Sequence, residues 1–466
     1  MSIRQLRARV VRDESGMGIV EILVALMIFA IVVIGMAGSM LSMTRLTADA
    51  AARETATNLA AAEIDKISAI DDAFTVVDAV VPTQVTVDGI TFFVETNTGW
   101  VGASGSTDKC GVGAGTLQYK RVRVTVTWEN MFLPNPVRAD SALAPSSRIN
   151  DPTAGTIIIS VKKESGDGQA GIAVTAVRTG GGGPTDPIDP TDSDGCAYVL
   201  KAPPGTYTVT LSKTGYITTA QQLFPLPQTI TVAAGAATSV PVQADLAMNY
   251  TVKYAANSTR TVRLPTNLDV TYFGQAAANS FNVLGTGTSR KLYPWLSGYQ
   301  AIAGNPATCA AVDPEKWEDV TTPAPAEDAG VRAFPTDASP GGARTLPVAM
   351  GVVDVVLPGT NATTYLTATA QDVTGGGNPG CSTATTYTFA SAAGGTTQTI
   401  ALPYGTWKLT HGTTPTTVTT PLTTGVTIRD TVVTLDADGV PVTTGGIGAS
   451  TFTNGNTLTL DPRKLT

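Results

Sequence analysis

SGMGIVEILVALMIFAIVVIGMAGSM, Ser15 to Met40, decides how the rest of the chain is read. From Ile22 to Met43 no side chain is formally charged, which is about 33 Å of helix at about 1.5 Å per residue. A bilayer's hydrocarbon core is about 30 Å thick, so the run is long enough to span one. Arg4, Arg7, Arg9 and Arg12 precede it against only Asp13 and Glu14, and no second apolar run of that length follows. The arginine excess predicts a cytoplasmic N-terminus and export of everything after Met43. One carboxylate, Glu21, stands at the head of the run. A carboxylate in or near lipid is costly unless paired, although one residue before the start of a span it could also sit at the headgroup interface at modest cost.

The remaining composition is that of a β-rich, turn-rich chain. Its 466 residues hold 47 Gly and 29 Pro, with 14% charged side chains and long stretches dominated by Thr and Val. Such a composition favours many short strands over helical bundles or disorder, in about three or four domains. A net charge of −7 supplies no global positive field, so nucleic acid is not an expected partner. Cys110, Cys196, Cys309 and Cys381 lie far apart and form no CxxC pair. In an exported chain they form two disulfides in any of three connectivities, which spacing does not rank.

Beyond the membrane run the helical pattern continues. Asp49 and Arg53 are spaced as an i,i+4 pair, and Ala56, Ala60, Ile64 and Ile67 make a narrow apolar stripe suited to packing on a sheet. Gly35 and Gly38 are either points of local melting or small residues for close packing. After Asp71 the period changes from 3.6 to 2. QVTVDGITFFVET, residues 84–96, predicts a hairpin turning at Asp88-Gly89. In YKRVRVTVTW, Val122, Val124, Val126 and Trp128 share one face. Lys120, Arg121 and Arg123 are read there as a solvated strand surface, in preference to a DNA contact.

Gly16 directly precedes Met17, Glu21 is the fifth residue counted from Met17, and a short basic leader stands before both. This N-terminus resembles that of the type IV prepilins, and EILVALMIFAIVVIG is most similar to the minor pilins of the PilV type. The resemblance covers the chain to about residue 45. It implies a prepilin peptidase that cuts after Gly16 on the cytoplasmic face, and N-methylation of Met17, where the family most often has Phe. It also implies that Glu21 pairs with a neighbouring subunit's Met17 amino group, setting register in a filament. Residues 1–16 are then the leader, 17–72 the transmembrane and pilin helix (membrane contact through 17–43), and 73–148 a pilin-type antiparallel head. Other pilin subunits and a pilus assembly platform are the implied partners.

Residues 154–246 carry Thr191, Asp192 and Gly195, then Pro203, Pro204, Gly205 and Tyr207, then Gly215 and Tyr216. The pattern TDxxG…PPGTY…GY resembles carboxypeptidase-regulatory-like or Cna-B-like β-sandwiches. Some relatives form a Lys–Asn isopeptide bond. Lys162 lies on the first strand here, but the last strand has no Asn at the expected end, so no crosslink is expected. Residues 247–345 read as a loop-rich β region with a linker, concentrating Tyr293, Trp295, Tyr299 and Trp317 around Cys309. Residues 346–466 read as a second sandwich-like domain, whose PYGTW turn echoes PPGTY. The expected fold class is α+β: a long N-terminal helix, a pilin-type sheet, then tandem all-β sandwiches.

No constellation for catalysis stands out. His411 is the single histidine, has no nucleophile or carboxylate partner in sequence, and is read as structural. Asp186, Asp189, Asp192 and Asp194 offer the hard oxygens that Ca²⁺ takes, but without EF-hand spacing or a bidentate Glu they read as a solvated acidic loop. The glycine run before them is followed by no GK[ST] and is no phosphate cradle. No cofactor and no enzymatic activity are expected. The expected function is a minor, tip or adhesive subunit of a type IV pilus, at the cell surface after assembly. Two alternatives stay open: a minor pseudopilin of a type II secretion machine, sharing the same N-terminus, and a membrane-anchored surface binding protein outside any filament. Gly35-Met36-Ala37, a passable signal-peptidase site, favours the last.

Overall fold

The computed structural model describes residues 18–79, 81–113, 115–131, 134–145, 151–184, 187–274, 281–284, 287–320, 327–443, 446–453 and 456–465. Ile19–Ser68 form one unbroken helix, α1, of 50 residues, about 75 Å long. It passes through Gly35 and Gly38 without interruption. No β-branched residue except Thr and Ile interrupts its second half, and alanines dominate there. Alanine carries no side-chain entropy cost in a helix.

The second half of α1 packs on a sheet made of β1 (Thr83–Val87), β2 (Ile90–Gly102), β3 (Thr107–Asp108), β4 (Leu117–Trp128) and β5 (Val137–Leu143). Its order is β1-β2-β4-β5, with β3 added to the end of β2. Ala52, Ala56, Ala60 and Ile67 are buried in that contact and Ile64 is partly buried; the small alanines let helix and sheet approach closely. Asp88 and Gly89 both adopt positive φ, +49° and +79°, between Val87 and Ile90, which face each other. That is the two-residue turn whose twist matches the strands it joins. On β2, Phe92, Val94, Thr96, Thr98 and Trp100 are buried in strict alternation, and Val122, Val124 and Val126 of β4 meet them.

Lys120 departs from the solvated reading given to it with Arg121 and Arg123. It is 1% exposed, its ammonium donates to the Val76 carbonyl and it lies 5.5 Å from the centre of the Trp100 ring. Parity explains the difference, because Lys120 shares the inward face with Val122, and only its odd-numbered neighbours point out. Arg121 is exposed and Arg123 pairs across the strands with Asp140 at 2.9 Å.

The chain forms two compact units, one built on α1 and this sheet, the other holding nearly all of the later strands. In the second, two facing sheets follow first, from β6 (Gly155–Lys162), β7 (Ala173–Arg178), β8 (Cys196–Ala202), β9 (Gly205–Ser212), β10 (Tyr216–Thr218), β11 (Leu226–Val232) and β12 (Ala237–Leu246). Their orders are β10-β12-β6-β8 and β11-β9-β7. Ile157, Ile159 and Val161 from β6 and Tyr207, Val209 and Leu211 from β9 are all fully buried. The Asp192 carboxylate closes the TDSDG turn by accepting the amides of Asp194 (3.0 Å) and Cys196 (2.8 Å). Gly195 is required there: its φ is +78°, and a Cβ would lie 2.1 Å from the Val161 carbonyl oxygen.

The remaining strands do not divide into a loop-rich region to residue 345 and a separate domain after it. Strand β13 (Met248–Tyr254) pairs in parallel with a strand at Ala343–Val348 that straddles the expected boundary. Met248, Val270, Trp317, Val353, Trp407 and Leu460 belong to one hydrophobic core. Cys309 and Cys381, 72 residues apart, are joined by a disulfide within it. A loop of that length contributes about 4 kcal/mol in the chain-entropy model. None of the four cysteines is a free thiol. The two echoing turns also have one structural role. Pro203-Pro204 leads from β8 to β9, and Pro403-Tyr404 leads from Thr397–Leu402 to Gly405–Gly412. In each case the chain leaves one sheet for another at a glycine of positive φ, +152° at Gly205 and +121° at Gly405.

Within this second unit Gln221 joins the sandwich to the larger core. Its amide donates to the Tyr299 hydroxyl at 3.0 Å and accepts the Tyr293 amide at 3.0 Å, while the Tyr299 hydroxyl donates to the Tyr293 carbonyl. Burial pushes the Tyr250 and Tyr299 phenols well above their usual range, so both act as neutral donors.

The inward position of Lys120 has a direct test. Lys120→Met keeps the apolar stem and leaves the Val76 carbonyl unpaired, which costs about 1–3 kcal/mol. Arg121→Met, one residue on and outward, is expected to change stability by less than about 0.5 kcal/mol. Hydrogen exchange of the β2 and β4 amides reads the difference; equal protection in the two variants would show that Lys120 is not a core residue.

Candidate functional site: the unpacked half of α1

Two environments divide α1 at about residue 48. From Asp49 onward one face is buried against the sheet, and Asp49 itself, 6% exposed, takes a 2.9 Å ion pair from Arg53, whose guanidinium lies 5.4 Å from the Trp128 ring centre. Before Asp49 every described residue is exposed. Ile19 is 79% exposed, Phe29 67% and Met40 73%. The apolar side chains run all round the helix, with no polar stripe, which is the pattern of a helix meant for a wholly apolar surrounding. Among the described residues α1 is the one helix long and apolar enough to cross a membrane.

The few polar groups in this half are satisfied within it. The Ser39 hydroxyl donates to the Gly35 carbonyl at 3.0 Å, Thr44 to Met40 at 2.9 Å and Thr47 to Met43 at 2.9 Å. With these bonds made, the hydroxyls enter an apolar medium without an unpaired donor. The charged groups are exceptions: Arg45 stands at the far end of this half, and Glu21 at its head. Glu21 lies in the first turn, exposed, where the positive end of the helix dipole favours a carboxylate. The Gly18 carbonyl accepts the Glu21 amide at 2.9 Å and begins the helical ladder. Gly16 and Met17 lie outside the described residues.

The other candidate residues are placed elsewhere. Lys162 is exposed at the end of β6. Asp192 is committed to its turn, and Asp186 lies outside the described residues. Among the described residues no group of three or more His, Cys, Asp or Glu could hold a metal ion. His411 pairs with Leu366 and Thr420 across neighbouring strands, half-buried. Asp49 and Ala52 belong to the packing face but were not in the expected stripe. Ala52 stands four residues before Ala56 and Asp49 three before Ala52, and that spacing is the signal that extends the stripe toward the membrane run.

No protein-family model matches the chain, and no curated protein matches it. Solved structures that align with it include the Bacillus anthracis TIE protein, at 10% identity and a TM-score of 0.19, over 72% of this chain and 68% of that one. The streptococcal ancillary pilin aligns at 10% identity and 0.18, over 49% and 75%. BcpA, the major pilin subunit of Bacillus cereus, aligns at 9% and 0.18, over 62% and 91%. Superpositions at this level carry no information about what the chain does.

The absence of free thiols makes the division of α1 accessible to single-cysteine labelling. In lipid vesicles, Val32→Cys should resist a water-soluble maleimide while Glu54→Cys and Lys66→Cys react quickly. Equal labelling at all three would place the first half of α1 in water.

Proposed function

We propose that the chain is a minor, tip-displayed subunit of a type IV pilus, held in the membrane by the first half of α1 and then assembled through it. The observation that carries this reading is the all-round apolar, unpacked helix headed by Glu21 and preceded in sequence by Gly16-Met17. A plain membrane anchor gains only the helix-dipole contribution from a carboxylate at that place, whereas a dry bundle of helices also gives it a partner. After cleavage behind Gly16 by a prepilin peptidase, the Met17 amino group, once N-methylated, is a cation. The Glu21 carboxylate of an adjacent subunit accepts a charge-assisted hydrogen bond from it. An ion pair in an apolar core is worth little as net stability but strongly disfavours registers that leave either charge alone. Glu21 therefore specifies position along the filament.

The bulk outside the helix supports a minor role. The described residues after 151 build β-structure beyond the α1 head, and such a mass on every subunit would crowd a densely packed shaft. A subunit at the tip carries it freely and presents it to a surface. Adhesion is the role this arrangement serves, with no catalytic step assigned to the chain.

The test is Glu21→Ala in the native cell. The variant is expected to reach the membrane in normal amount yet to fall at least tenfold in sheared surface filaments, with Glu21→Asp intermediate. Incorporation of Glu21→Ala at the unaltered level would remove the assembly role.

A further inference from the structure

In the second unit a cleft of about 450 Å³ opens between residues 334–337, the end of β13 and the turn at residues 436–440. That volume lies within the range of small-molecule sites, about 300–1,000 Å³. Phe334, Pro335, Pro347 and Val440 give it an apolar floor. Phe334 is 56% exposed, yet its backbone is held from several sides. Its amide donates to the Gly439 carbonyl at 2.9 Å, and Thr336 exchanges both backbone hydrogen bonds with Tyr299. From below, the buried Tyr250 hydroxyl reaches the Thr336 and Asp337 carbonyls, each at 3.2 Å. The ring presses against Gly439, where a Cβ would lie 2.0 Å from its Cγ. A large aromatic ring is thus fixed in place and left open to solvent, at a cost that burial elsewhere would have avoided.

The rim has both signs of charge. Lys253, Asp337 and Asp438 line the cleft, all exposed. Asp337 is engaged by Arg344 at 3.3 Å. The turn at 436–440 is closed by Asp436, whose carboxylate accepts the amides of Asp438 (3.0 Å) and Val440 (2.9 Å). Asp438 is therefore not used to hold its own turn, and its carboxylate is available to a ligand, as is the Lys253 ammonium. A preformed aromatic platform beside one donor and two acceptor side chains, with near-balanced charge, fits a neutral polyhydroxylated ligand with an apolar face. A strongly charged ligand would meet a like charge on one side.

We infer that this cleft is a saccharide-binding site, with Phe334 as the platform beneath the sugar ring, Asp438 accepting from adjacent hydroxyls and Lys253 donating to a ring or hydroxyl oxygen. The inference goes beyond the pilus reading and does not depend on it, since the site is complete in the second unit whatever the N-terminal helix does.

The probes are the methyl glycosides of glucose, galactose, mannose and N-acetylglucosamine, added to the detergent-solubilised full chain and read by saturation-transfer NMR. At least one glycoside should receive saturation from the unaltered chain. Phe334→Ala, which alters an exposed ring and is expected to leave the near-UV circular dichroism unchanged, should weaken that binding at least tenfold, and Asp438→Asn should weaken it severalfold. No transfer to any of the four, or transfer unchanged in both variants, overturns the assignment. So does binding of a lysine-rich peptide at the cleft with no competing glycoside, which would make the two carboxylates a docking point for a cationic chain. None of these outcomes bears on Glu21 or on processing at Gly16.

Discussion

Water is a poor surrounding for the first half of α1, and any account of the chain has to supply another. From Ile19 to Leu46 large apolar side chains point in every direction, so no rotation of the helix against a single sheet could cover them. Burying one such side chain is worth about 1.5–3 kcal/mol, and moving even a third of them out of water amounts to on the order of 10 kcal/mol. The chain itself offers no such cover in the described residues, and the apolar medium must come from outside, as lipid or as other helices. The hydroxyls comply: those of Ser39, Thr44 and Thr47 are turned back onto helix carbonyls. Of the two charged residues, Arg45 stands next to the packed half and Glu21 at the opposite end, at the head of the apolar run.

The second half of the same helix obeys a different rule. Ala52, Ala56 and Ala60 place a smooth, narrow face on the sheet, and Asp49 with Arg53 marks the point at which this face begins. A single rigid element thus joins an apolar segment to a folded head without a hinge. Past the head, strand structure accumulates by sheet-to-sheet crossings at Gly205 and Gly405, by a disulfide between Cys309 and Cys381, and by the amide of Gln221 wedged between Tyr293 and Tyr299.

Local chemistry made the first third of this legible in sequence. The charge-free run, the Asp88-Gly89 turn and the alternation on β4 each depend on neighbours a few residues apart, and each was open to reading from residue order alone. Lys120 shares the parity of Val122, which residue order does show, but the Val76 carbonyl and Trp100 ring that meet its ammonium come together with it only in the fold. The division at residue 345 failed for another reason. The parallel pairing of Met248–Tyr254 with Ala343–Val348 joins segments about 90 residues apart, and nothing local announces it. The cleft at Phe334 escaped likewise, since residues 253, 334 and 438 meet only in the folded chain. Cys309 and Cys381 could be counted but not matched, because disulfide partners are chosen by geometry.

The account stands or falls on what the first half of α1 becomes in the cell. Mass spectrometry of the N-terminal peptide, from protein recovered from its native membrane or surface, reads this directly. A chain beginning at Met17 with an N-methylated amino group is the predicted result, because it creates the cation that Glu21 is placed to meet. A chain beginning near Gly38 would mean that the apolar segment is discarded on export, and one still beginning at Met1 would mean a static anchor. Either of these would contradict assembly through α1.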